Sequence, residues 1–256
     1  MKHGKVEFSD QKYARGRERI QPFKSEMLRL ITAKAGGRIL DIGCGTGVVS
    51  SVLKQANWNV IGLDISLEGV KKYCQAGFVG LLANVEYNLP FKDNIFDAVW
   101  ISEVIEHIVE YQKLIKEIYR ILKPNGCLYL TTPNSAFYGY RLMYLLGKSP
   151  SELQHPYHVR FFNPKYLSTI IEANGFKVEK RLGQNIYMIM PSFLIKTFDR
   201  LGETFSRIIM KIFACLGFKK VEGLIHGDKY LWYKFSHFFN GLFSSVIMLI
   251  ARRESS

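Results

Sequence analysis

The 256-residue sequence is short of cysteine, and its four cysteines, Cys44, Cys74, Cys127 and Cys215, form no C-x-x-C pair. That spacing excludes a zinc ribbon, a thioredoxin-like centre and a disulfide scaffold, and it makes a reducing compartment the expectation. No apolar run follows the opening Met-Lys-His-Gly-Lys. The pattern of a secretory signal is therefore missing, and a cytoplasmic location is expected. Internal repeats and low-complexity tracts are missing too. Acidic residues are scarce beside basic ones, 22 against 35, for a net charge of +13. The excess sits at the ends: residues 1–38 carry +6, residues 186–256 carry +5, and residues 39–185 only +2. No Lys/Arg run exceeds two residues and no RNA-binding or helix-turn-helix signature is present, so nucleic acid is disfavoured as a partner despite the charge.

Hydrophobic residues make up 48% and charged residues 22%, the proportions of a globular chain. The length suits one domain with a sizeable insertion. Residues 17–34 have the spacing of an amphipathic opening helix, and Ala35-Gly36-Gly37 can stop it. Short apolar runs then alternate with helical stretches: Arg38–Ile42, Val48–Gln55, Asn59–Asp64, Leu67–Ala76, Phe96–Ser102, Glu110–Leu122 and Cys127–Thr132, the last after a Pro124-Asn125-Gly126 turn. A helix over Asn163–Gly175 and a strand over Phe176–Arg181 follow. This alternation predicts βαβ units and a parallel sheet covered on both faces, whose ligands bind at the carboxyl ends of the strands.

Ile39-Leu40-Asp41-Ile42-Gly43-Cys44-Gly45-Thr46-Gly47 places an apolar strand before three alternate glycines and a helix. Glycines let the chain turn sharply and let a ligand approach the peptide groups. Asp64, closing the next strand, can accept both ribose hydroxyls of an adenosine-containing ligand. Val48 stands where a dinucleotide fingerprint has its third glycine, and Asp41 would oppose a pyrophosphate. A cationic, phosphate-free ligand fits better.

These residues resemble the class I S-adenosylmethionine-dependent methyltransferases, whose D-x-G-x-G-x-G pattern falls here on Asp41, Gly43, Gly45 and Gly47. The resemblance extends to Asp64, Asn84-Val85 before Leu89-Pro90-Phe91, and Leu122–Gly126, and covers roughly residues 15–182 with the terminal strand. It implies a doubly wound, mostly parallel seven-stranded α/β sheet. It also implies S-adenosylmethionine as cofactor, held by Asp41, Gly43, Cys44, Gly45, Gly47, Asp64, Ile65, Asn84, Val85 and Ser102.

After the fourth strand comes Glu103-Val104-Ile105-Glu106-His107. A helix here would set 103, 106 and 107 on one face, where two carboxylates would raise each other's pKa unless a cation lay between them. The sequence E-V-I-E-H resembles the ubiquinone-biosynthesis O-methyltransferases and the small-RNA 3′-end 2′-O-methyltransferases. The second resemblance implies a divalent metal, Mg or Zn, on Glu103, Glu106, His107 and His158, the last within His155–Phe162. Tyr157 replaces that pattern's Asp and its Glu-Trp is missing, which weakens the RNA reading more than the metal reading. His107 and then His158 are the expected catalytic residues, because an alcohol or phenol must lose its proton to accept a methyl group. Arg160 is an expected partner for an anionic substrate group. The N-P-P-Y pattern of nitrogen methylation is missing, with Thr132-Pro133-Asn134 in its place, so oxygen is the expected acceptor atom.

Beyond Leu182 the alternation stops until Ser245–Ala251, the expected last strand. The organisation expected is a helical cap over 1–37, a methyltransferase domain over 38–185 and 243–256, and an insertion over 186–242. Within the insertion, Leu194–Leu216 carries an apolar stripe at steps of three and four opposite Lys196, Arg200, Arg207 and Lys211, suited to a cleft lid or an anionic membrane surface. The favoured function is O-methylation of a small hydrophobic, lipid-linked or glycan hydroxyl at the inner face of a membrane. An RNA ribose methyltransferase and a catalytically silent cofactor-binding module are the alternatives.

Overall fold

The computed structural model describes residues 2–15, 20, 22–34, 36–184 and 244–255. Seven strands, β1 (Arg38–Ile42), β2 (Asn59–Asp64), β3 (Val79–Leu82), β4 (Phe96–Ser102), β5 (Leu122–Pro133), β6 (Phe176–Gln184) and β7 (Val246–Arg253), form one sheet in the order β3-β2-β1-β4-β5-β7-β6. Pairings from β3 through β5 are parallel, and β7 lies antiparallel between β5 and β6. The described helices are α1 (Lys2–Arg15), α2 (Pro22–Thr32), α3 (Val48–Gln55), α4 (Leu67–Gln75), α5 (Tyr111–Ile121), α6 (Tyr138–Leu145), α7 (Pro150–Leu153) and α8 (Pro164–Ala173), with a 3-10 turn at Ile105–His107.

The two-residue period of the strands divides the core into two layers. Along β7, Val246, Met248 and Ile250 enter the layer of Met27, Ile31 and Leu53, contributed by α2 and α3. Their neighbours Ile247, Leu249 and Ala251 enter the layer of Ile115, Ile118 and Leu167, contributed by α5 and α8. A strand buried on both faces cannot alternate with polar residues, which is why Val246–Ala251 is continuously apolar. In β4, Trp100 packs in one layer and Val99 and Ile101 in the other. Each such buried side chain contributes about 1.5–3 kcal/mol of transfer free energy.

The expected class and final strand are present, with local differences. β7 runs on to Arg253, because Arg252 bonds Glu179 at 2.5 Å and Arg253 lies 4.3 Å over the Tyr119 ring. The Pro124–Gly126 turn is an irregularity inside β5, where Asn125 takes a φ of 64° and the pairing with β4 shifts register. The stretch 103–108 is no α-helix: Glu103 has a φ of 57°, which carries the chain off β4 and into the short 3-10 turn. The insertion over 186–242, with its stripe Leu194–Leu216, lies outside the described residues. Sheet order reverses between β1 and β4, so their carboxyl ends, with that of β2, open a crevice at the switch point.

Candidate active site

That crevice is a cavity of about 630 Å³, within the usual range for small-molecule sites. Gly43, Asp64, Ile65, Asn84, Val85, Ser102, Glu103, Glu106, His107 and His158, all expected from the sequence, line it.

The glycine loop is built by backbone geometry. Gly43, Gly45 and Gly47 have φ of 77°, 52° and 88°, a left-handed conformation at alternate positions that side-chain-bearing residues resist. The amides of Gly43 and Cys44 donate to the Leu63 carbonyl at 2.7 and 3.2 Å, pinning the loop to the end of β2. A Cβ on Gly43 would come within 2.5 Å of Val104 Cγ2, so the loop closes against the residue after Glu103. Gly45 and Gly47 line no part of the main cavity: Gly45 donates its amide to Asp64 Oδ2 at 2.9 Å, and Gly47 packs against Tyr73 and Phe78. Asp41 and Cys44 face an adjoining recess of about 20 Å³ that also touches Gly43 and Ser102. Beneath it, Asp41 Oδ2 accepts the Ser50 hydroxyl at 2.6 Å.

Asp64, 5% exposed, is aimed by its neighbours: Oδ2 takes the Gly45 amide and Oδ1 the Ser66 amide, both at 2.9 Å. Asp64 lines the cavity beside Gly43, the one residue of the glycine loop that reaches it. Asn84 and Val85 form the adjoining wall, whereas Leu89 and Phe91 turn into the core, Phe91 packing edge-on to Phe96 at 5.0 Å.

The other half gathers histidines. His107 Nε2 and His158 Nε2 each lie 3.9 Å from Glu106 Oε1. His107 Nδ1 lies 3.0 Å from the Tyr157 carbonyl and His158 Nδ1 lies 3.2 Å from the Gln154 side-chain oxygen. A neutral ring that donates from Nδ1 to these oxygens turns its Nε2 toward Glu106. Burial, with His107 and His155 beside it, lowers the His158 pKa to about 4 and keeps it neutral. Glu106 is 1% exposed; Oε2 accepts the Thr132 hydroxyl at 3.0 Å, and Oε1 is buried with no hydrogen-bond partner. Burial, then the adjacent Glu103, pushes the Glu106 pKa well above the carboxylate range. Burial likewise raises Glu103 to about 7, against the pull of Lys24, Thr131 and Lys12. Glu103 turns to Thr131 Oγ1 at 3.3 Å, so the carboxylate set against both imidazoles is Glu106.

Sequence reasoning passed over two contributors. His155 has a ligand atom within 4.8 Å of those of His107 and His158, the group of metal-binding geometry among the described residues. Its signal was its place three residues before His158. The second is α1, which adds Val6, Phe8, Ser9, Lys12 and Tyr13 to the cavity wall. Its polar sequence has no apolar period, so the expected opening helix began only at residue 17. Arg160, expected to meet substrate, instead donates to the Val109 carbonyl at 2.8 and 3.2 Å and lies over the Tyr111 ring at 5.5 Å.

The profile of the family described as "Methyltransferase domain" matches residues 13–181. The chain is 31% identical over 161 residues to the mitochondrial ubiquinone biosynthesis O-methyltransferase of Homo sapiens, covering 58% of this chain and 43% of that protein. It is 32% identical over 139 residues to a demethylmenaquinone methyltransferase of Bacillus cereus, covering 50% and 59%. The chain thus matches about half the length of these relatives. A SAM-dependent methyltransferase structure from Archaeoglobus fulgidus superposes with a TM-score of 0.55 over 90% of this chain and 98% of that one, at 20% identity.

Proposed function

The chain belongs to the class I S-adenosylmethionine-dependent methyltransferases, and from that membership we propose that it methylates a hydroxyl of a small hydrophobic, lipid-linked or glycan acceptor, a quinone precursor being the favoured kind. The carrying observation is that Nε2 of His107 and Nε2 of His158 both lie 3.9 Å from one oxygen of buried Glu106, in the same cavity as Asp64.

The cofactor, when bound, supplies an electrophilic methyl group with its own leaving group. The protein's work is then alignment and removal of one proton. Asp64 accepts the ribose hydroxyls, and Gly43, which lines the cavity without a side chain, leaves room for the rest of the cofactor. His107 and His158, each held through Nδ1, can take the acceptor's hydroxyl proton on Nε2. The names of the two relatives, both acting on quinones or their precursors, support a small aromatic acceptor.

Glu106, His107 and His158 would hold a divalent ion, with His155 at its edge and Glu103 behind. The unpartnered Glu106 oxygen and the nearby imidazole nitrogens suit ligation. Such an ion would occupy the Nε2 atoms and so stand in place of base catalysis by the histidines, supplying Lewis acidity that lowers a hydroxyl pKa. We further propose peripheral attachment to an anionic membrane. Leu142, Leu145 and Leu146 are 53%, 85% and 70% exposed on α6 and its end, just before the segment that carries the imidazoles. Among the described residues no helix is long and apolar enough to cross a membrane.

The test is transfer of labelled methyl from S-adenosylmethionine to 3,4-dihydroxybenzoate and to a membrane lipid extract, with and without chelator. The expected product is a methyl ether, formed at least about a hundredfold more slowly by His158→Asn at unchanged affinity for S-adenosylhomocysteine. Methyl found only on nitrogen, or only on RNA, sinks the reading. Full rates under chelation sink its metal part alone.

A further inference from the structure

Between the cofactor carboxylate and the N-terminal helix stands a single residue, Ser66. Its amide donates to Asp64 Oδ1 at 2.9 Å, and its hydroxyl donates to Asp10 Oδ1, on α1, at 2.5 Å. The same hydroxyl accepts the Gly69 amide at 2.9 Å, capping α4. Asp10 Oδ1 also takes the Glu68 amide at 3.1 Å, so it holds the first turn of α4, where a negative charge is favoured by the helix dipole.

α1 is also held through Tyr13. Among residues 6–14 only Tyr13 is buried. Its ring fills the space beside Gly69, where a Cβ would meet it at 3.0 Å, and its carbonyl accepts Lys72 Nζ at 2.5 Å. These attachments fall on α4 and the residue before it. The free side of α1 lies over the opposite half of the cavity: the Phe8 ring meets His155 edge-on at 4.7 Å and lies 5.3 Å from Tyr157. One short helix is therefore linked to Asp64 through Asp10 and Ser66, and touches the imidazole cluster through Phe8, two residues before Asp10.

We propose that Asp10 is a positioning residue that makes cofactor binding at Asp64 and seating of the Phe8 roof over the imidazoles one coupled event. This rests on the reading of the cavity as an S-adenosylmethionine site. The coupling follows from the shared serine. A ligand that fixes the Asp64 carboxylate fixes the Ser66 amide, and with it the hydroxyl that Asp10 accepts. In the other direction, Asp10 steadies the turn that aims Ser66 at Asp64. Linkage makes the effect reciprocal, so whatever α1 adds to cofactor affinity, the cofactor adds to closure of α1.

The experiment is amide hydrogen exchange of the full chain with and without saturating S-adenosylhomocysteine, beside calorimetry of the same ligand. In the parent protein the ligand should slow exchange across residues 2–15 severalfold. Asp10→Ala should bind about five- to twentyfold more weakly, within the range usual for coupling between linked sites. Its α1 should exchange fast whether or not ligand is present, while β1 and β4 stay protected as evidence of an intact fold. Asp10→Asn, which keeps an acceptor and drops the charge, should recover part of both effects. Ligand binding that leaves α1 exchange unchanged in the parent overturns the proposal. So does an Asp10→Ala protein with parental affinity and a ligand-responsive α1. A parent protein that binds no S-adenosylhomocysteine overturns the cavity assignment itself, and this coupling with it.

Discussion

The main-chain oxygen of Glu106 accepts the amide of Val159 at 2.9 Å and that of Arg160 at 3.0 Å. This contact joins the turn after β4 to the segment that carries His155 and His158, more than fifty positions along the chain. It places His158 against the side chain of the same Glu106 whose backbone anchors it. The imidazole pair is thus positioned by main-chain hydrogen bonds, which survive substitution of the side chains they align.

Asp64 is the first residue to test. Its two oxygens are each oriented by one backbone amide, and the residue lines the cavity. Asp64→Ala should weaken S-adenosylmethionine binding by about 1–3 kcal/mol, the worth of charge-assisted hydrogen bonds to a ribose. Calorimetry reads the change, and parental affinity in the variant would remove Asp64 from the site. Because Ser66 and Gly45 lose their acceptor as well, a thermal melt should accompany the titration.

The glycine loop and Asp64 were legible because each is dictated locally, by a left-handed φ or by the end of an apolar strand. The layered sheet was legible for the same reason, since Asn59–Asp64 and Phe96–Ser102 are too apolar to be anything but buried. The carboxylate cluster was legible in composition and wrong in geometry. A spacing of three and four suits a helical face, but the left-handed Glu103 breaks the helix before it starts, and local sequence gives no sign of that turn. α1 was illegible because, among residues 6–14, Tyr13 alone is buried, leaving no period to detect. His155 was illegible because its partners come together only through the Glu106–Val159 contact.

The buried acidic pair predicts a pH dependence opposite to that of ordinary carboxylates. Glu103 and Glu106 have folded pKa values raised above their unfolded ones. Between about pH 4.5, the unfolded value, and pH 7 the native state therefore binds more protons, and its stability falls as pH rises. His158, held neutral by burial, acts in the opposite sense below its unfolded pKa, so the contribution of Glu106 must be isolated by difference. Glu106→Gln keeps the acceptor for Thr132 and removes the charge. In chelator, urea unfolding should show it about 1–3 kcal/mol more stable than the parent at pH 8 and equal to it near pH 4.5. A less stable variant at pH 8 would mean that a positive group already compensates the carboxylate. Added Zn or Mg should stabilise the parent and not the variant.

The last prediction concerns α6. Leu142, Leu145 and Leu146 follow the spacing of one helical face and are more than half exposed. Arg141 adjoins them, and Lys148, which shares its charge with Glu152 at 3.4 Å, follows. Each leucine placed among lipid tails contributes about 1.5–3 kcal/mol, and each unshared basic residue about 1 kcal/mol toward an anionic surface, less in salt. Sedimentation with phosphatidylserine-containing vesicles should therefore exceed that with neutral vesicles and weaken as salt rises. Leu145→Ser combined with Leu146→Ser should release the protein while leaving its melting temperature within a few degrees, since neither side chain is buried, and its S-adenosylhomocysteine affinity unchanged. If the double variant sediments as well as the parent, α6 is not the contact. If it melts far lower, these leucines are covered in solution and belong to the fold.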